Sequence, residues 1–158
     1  MEFIVRTIVI GAGATLVMDA WAALLRRFGI PSLDFAMLGR WIGHLPRGRF
    51  VHESIARTAP VPGERALGWA THYVIGVSFA GVLLALFGLE WTHAPTIGPP
   101  LLVGVVTVAA PLLVLQPALG AGIASRKTPK PLFNSVKSLA THTIFGVGLY
   151  LAARVTAP

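Results

Sequence analysis

The chain contains no cysteine. That absence excludes disulfide frameworks, thiolate metal sites, thiol nucleophiles, S-palmitoylation and the Cys-x-x-Cys-His attachment of a c-type haem. It leaves the compartment open. Charge is scarce as well. Asp, Glu, Lys and Arg together make 12% of the residues, against roughly 25% in a soluble domain. Acidic side chains are the rarer sign, six against thirteen Lys and Arg, for a net charge of +7. Also missing are the Gly-x-Ser-x-Gly, Walker and His-Glu-x-x-His motifs, so no common hydrolase or nucleotide chemistry is indicated. An enzyme is not the expected reading.

What is present is apolar: 54% of the residues are hydrophobic. Four segments, at about 3–25, 66–89, 101–121 and 136–155, match the roughly 20 residues that cross a hydrocarbon core at 1.5 Å per residue. Asp19 interrupts the first of them, so this segment is expected to be a span, not the apolar region of a cleaved signal peptide. Pro111 and Pro117 fall inside the third, where a kink near Pro111 is predicted. The expected fold is therefore an all-α integral membrane protein with four transmembrane helices, one domain over residues 1–158.

The basic residues are placed unevenly. Eleven of the thirteen lie within 26–65 or 126–137, and the 90–98 loop has none. The positive-inside rule puts both basic loops in the cytoplasm and both termini on the opposite, outward side of the membrane. Nucleic acid is not an expected partner, because no stacking aromatics interleave a basic groove. The bilayer is.

The long 26–65 loop carries its own pattern. Ser32 is the expected N-cap of an amphipathic helix, with Asp34 in its first turn. Leu33, Met37, Leu38, Trp41, Ile42 and Leu45 then fall on one face, as in a helix lying in the membrane interface. Arg40, Arg47 and Arg49 are expected to meet lipid phosphates; a dedicated anion site is the alternative for this basic stretch. His44, His52 and Glu53 could ligate a metal, although their spacing is not diagnostic.

One stretch occurs twice. Ala70-Thr71-His72 followed by Gly76-Val77 returns as Ala140-Thr141-His142 followed by Gly146-Val147. A weaker match sets Leu16-Val17-Met18-Asp19 against Leu113-Val114-Leu115-Gln116. The chain thus reads as two helix pairs of the same orientation, a parallel repeat. Counted from the flanking basic residues, Asp19, His72, Gln116 and His142 share one level, roughly 8–15 Å inside the cytoplasmic boundary. Polar residues there are expensive and face one another, so they form the candidate ligand or proton site.

Each residue also has a plainer reading. Gln116 can fill a carbonyl left unpaired by Pro117, and a lone histidine can be an interhelical donor. Gly76 and Gly146 can allow close helix approach, or can clear space beside each imidazole for a non-covalent haem b, with Thr71 and Thr141 orienting the rings. Three functions stay open: a site that binds or moves a proton, divalent cation or small solute; a bis-histidine haem module; and an accessory subunit or scaffold of a larger complex. A homodimer suits the first, because four spans make a small pore.

Met18-Asp19, Gly29-Ile-Pro-Ser-Leu-Asp34, Gly39-Arg40-Trp41, His44-Leu-Pro-Arg47, Pro62-Gly-Glu-Arg65 and Gln116-Pro-Ala-Leu-Gly-Ala-Gly122, with the two His-centred segments, resemble the bacterial family called domain of unknown function 2938. The resemblance covers nearly the whole chain. It implies a small four-span inner-membrane protein and transfers no catalytic residue.

Overall fold

The computed structural model describes residues 1–157. Among the described residues there are five helices: α1 (Glu2–Arg27), α2 (Phe35–His44), α3 (Glu64–Phe87), α4 (Gly98–Ala118) and α5 (Pro131–Val155). Short 3-10 turns join them, and no strand occurs among the described residues. Among those residues, three helices, α1, α3 and α4, are long and apolar enough to cross a membrane. Most of their apolar surface is uncovered, with 22%, 22% and 17% of each apolar window buried. Ile4, Val74, Leu86 and Val106 are exposed. A soluble monomer does not present apolar faces of this extent. The molecule is a membrane protein. Helix α5 is as long but more polar, carrying Asn134, Lys137, Ser138 and His142, and it is not among the three.

Helix ends follow local chemistry. Helix α1 closes in a Schellman motif: Ile30 N–H donates to Leu25 O and Gly29 N–H to Arg26 O. Gly29 adopts the left-handed φ of 73° that this motif needs. Arg26 and Arg27 sit at the negative end of the helix dipole. Helix α2 starts later than the composition suggests. Its N-cap is Asp34, whose carboxylate accepts from Ala36 N–H at 2.9 Å. Ser32, the expected cap, instead accepts a hydrogen bond from Arg26 Nη1 at 2.9 Å.

Helix α4 is not uniform. Gly98–Thr107 is α-helical, and Ala110–Leu115 winds as a π-helix. Pro111 has no N–H to return to the Thr107 carbonyl, and the ladder widens where that bond is lost. A kink is the sequence expectation at Pro111; the structure has this π-helical stretch there.

The chain divides into two compact units. The first comprises Met1–Ser32, Tyr73–Thr107 and the chain from Ala140 onward. Its core includes Ile10, Ala14, Leu83, Phe145 and Leu149. Small residues set its helix contacts. A Cβ on Gly13 would lie 2.9 Å from that of Ala152, and one on Gly148 would lie 2.9 Å from the Ala14 backbone. A Cβ on Gly146 would meet the Pro100 carbonyl at 2.6 Å. Close approach through small side chains supplies the dispersion contacts that hold helices together in lipid.

The second unit comprises Leu33–His72 and Val108–Leu139. Helix α2 crosses the start of α3 at Gly39 and Gly68, where a Cβ on Gly68 would lie 3.0 Å from Gly39 N and closer to the Phe35 carbonyl. The 48–63 loop is tied to the end of α4 by His52 N–H to Ala118 O at 2.9 Å and Ile55 N–H to Leu119 O at 3.1 Å. Gly120 lies under this strap with φ 97°, and any side chain there would meet the Glu53 carbonyl.

Candidate functional site

In the first unit Asp19, on α1, and His142, on α5, each have a hydroxyl partner. Helix α1 meets α3 through Thr15, whose Oγ1 contacts the space beside Gly76 and donates to Gly11 O at 2.8 Å. One turn further along α1, Tyr73 OH donates to Asp19 Oδ2 at 3.1 Å. On α5, His142 Nδ1 is 3.1 Å from Thr107 Oγ1, and that hydroxyl also donates to Gly104 O at 2.9 Å. Both Asp19 and His142 are half-buried.

His72 and Gln116 belong to the second unit. The His72 ring packs against Phe35, with centroids 4.5 Å apart, and edge-on to Trp69 at 6.0 Å. Gln116 Nε2 donates to Ser138 Oγ at 3.3 Å, while its Oε1 is buried without a partner. So Gln116 engages α5 and is not turned back onto a carbonyl beside Pro117. The four expected positions fall two in each unit.

The glycines have a packing role. The space at Gly76 is taken by Thr15, and that at Gly146 by Pro100 and Leu101. Neither position leaves clearance for a flat macrocycle. Thr71 and Thr141 are half-buried beside their histidines in the chain, but the hydroxyl on the His142 ring is that of Thr107.

Arg40 turns inward. Its Nε and Nη2 donate to the two Glu64 carboxylate oxygens at 2.8 and 2.7 Å, and its Nη1 to the carbonyls of Ile55 and Thr58, both at 3.1 Å. Glu64 also accepts from Val61 N–H at 2.9 Å. The side chains of Arg40 and Glu64 are only 14% and 16% exposed. The Glu64 hydrogen bond holds the Arg40 guanidinium above its ordinary pKa, outweighing the opposing effect of burial. Arg47 and Arg49 are exposed.

Tyr73, Thr107 and Glu64 are the site residues that sequence reasoning missed. Tyr73 adjoins His72, but the repeat has Thr143 at that position and so gives no reason to single it out. Thr107 is 35 positions from His142, and nothing local links them. Glu64 lies in the Pro62-Gly-Glu-Arg65 motif, where its charge was legible and its partner was not.

An all-α chain with three helices apolar enough to span a membrane defines a class, the all-α membrane proteins. Within it, the chain belongs to the family described as Protein of unknown function (DUF2938), whose model matches residues 8–156. No curated protein and no solved structure matches it.

Proposed function

We propose that this is a small bacterial inner-membrane protein that binds and passes a proton through an intramembrane site centred on Asp19 and His142. The observation that carries the reading is the Tyr73–Asp19 hydrogen bond inside apolar helices. A phenol donates to a carboxylate and accepts from a carboxylic acid, so the pair tolerates both protonation states of Asp19. The His142–Thr107 contact has the same property, and histidine exchanges protons near neutral pH. A divalent cation or small solute is the wider class that such a site could take, and His72 and Gln116 are the further residues to test by substitution.

In this reading α5 is a fourth span and pairs with α4 as α3 does with α1, in one parallel repeat. Both termini face the periplasm, and the 26–65 and 126–137 loops face the cytoplasm. Arg47 and Arg49 meet lipid phosphates. Asp19→Asn should abolish proton flux in proteoliposomes, and flux equal to that of the unsubstituted protein would remove the proposal. The exposed apolar faces of α1, α3 and α4 support a second reading, an accessory subunit whose faces take partner helices. Crosslinking in native membranes that yields only lipid and self contacts would count against it.

A further inference from the structure

The second unit holds a pair of buried histidines that the intramembrane reading does not use. His44, at the end of α2, is 3% exposed and His52, in the strapped loop, is 8% exposed. Their ring centres are 5.3 Å apart, with planes inclined at 67°. His44 Nε2 lies 3.0 Å from the Ala59 carbonyl, to which it donates. Its lone pair is therefore on Nδ1, and that atom is buried without a hydrogen-bond partner. Both His52 ring nitrogens are buried without a partner as well.

Three orphaned ring nitrogens in one place call for an explanation. Each unmet buried polar group keeps its full desolvation cost, and native structures resolve such groups with an ordered water or an ion. A metal-ligating histidine usually donates its other ring N–H to a carbonyl or carboxylate, which fixes the tautomer. His44 on Ala59 has this arrangement. With metal–nitrogen bonds of about 2.0–2.1 Å, two imidazoles on one tetrahedral ion have ring centres roughly 5 Å apart. The observed spacing agrees.

We propose that His44 and His52 bind a divalent transition-metal ion of the kind that prefers imidazole, represented by Zn²⁺. Among the described residues no third His, Asp or Glu joins them into a larger metal-holding group. The remaining positions go to solvent or to an exchangeable ligand. An open groove of about 410 Å³, lined by His52, Glu53, Ser54 and Arg57 among others, adjoins the His52 side of the pair.

The test uses the full chain in mild detergent, stripped with a chelator and titrated with Zn²⁺, then with Co²⁺ as its coloured stand-in. One ion per chain is expected, with visible ligand-field bands from Co²⁺ and a rise in Tm on adding Zn²⁺. His44→Gln and His52→Gln should each lose all three, whereas Asp19→Asn should keep them, which separates this site from the intramembrane one. Imidazole nitrogen NMR on the unsubstituted protein covers the case in which a variant does not fold. Two of the five histidine rings should shift on adding Zn²⁺. An unsubstituted protein that binds no stoichiometric ion, or variants that bind as well as it does, would overturn the proposal. So would NMR shifts confined to other rings.

Discussion

Arg40 commits every nitrogen of its guanidinium to the chain, two to Glu64 and the third to loop carbonyls. A bidentate pair shielded from water is sensitive to the loss of either partner, because the survivor keeps its desolvation cost without its counter-charge. Arg40→Met is therefore expected to lower Tm clearly, while Arg47→Met and Arg49→Met leave it nearly unchanged. The double variant Arg40→Met/Glu64→Met should recover part of the loss, and thermal melts in detergent check all four. At the same scale, Tyr73→Phe removes a hydrogen bond to a carboxylate, worth about 1.5–3 kcal/mol when the acceptor is charged. Proton flux should fall in Tyr73→Phe, and flux equal to that of the unsubstituted protein would leave the Tyr73 contact without a part in transfer. Sequence reasoning reached Asp19 because a carboxylate in an apolar run stands out by composition alone. It did not reach the Arg40–Glu64 pair, because two charges 24 positions apart meet only once α2 has crossed α3.

That crossing is itself a property of elements. Helices α2 and α3 approach at Gly39 and Gly68 so closely that a Cβ at either position would overlap the backbone of the other helix. Gly68→Ala should destabilise the fold by about 1–3 kcal/mol, the usual cost of overpacking, or more where backbone must move. A matched Ala exchange at exposed Gly98, with open space around its Cβ position, should cost far less. Chemical denaturation of the two variants distinguishes them. Element positions were legible where apolar composition decides them: 3–25 was expected and Glu2–Arg27 is found. Helix α4 begins earlier than the expected 101 because Pro99 and Pro100 sit in its first turn, where a missing N–H costs nothing. It ends earlier than the expected 121 because the chain turns at Gly120. Pro131 opens α5 ahead of the expected 136 for the same reason that Pro99 is tolerated. The π-helical stretch after Thr107 was foreshadowed only as a kink, since composition locates a proline but not how the ladder relaxes around it.

For the whole molecule, the exposed apolar faces settle membrane residence on physical grounds, and the charge asymmetry of the loops supports an orientation. A reporter fused after the last residue should read periplasmic, and one inserted after Gly48 cytoplasmic; the opposite pair would invert the topology proposed here. The strongest signal in the sequence, the repeated Ala-Thr-His segment, places His72 and His142 in different units with different neighbours, aromatic rings for one and a threonine hydroxyl for the other. Equivalent spacing therefore does not give equivalent surroundings, because packing partners come from the rest of the fold. The central claim is that Asp19 carries protons. It is tested most directly by proton flux into proteoliposomes under an imposed pH gradient, measured for the unsubstituted protein and for Asp19→Asn reconstituted at equal density. The account predicts flux above that of empty liposomes for the first and none above it for the second. Equal flux in both would contradict it.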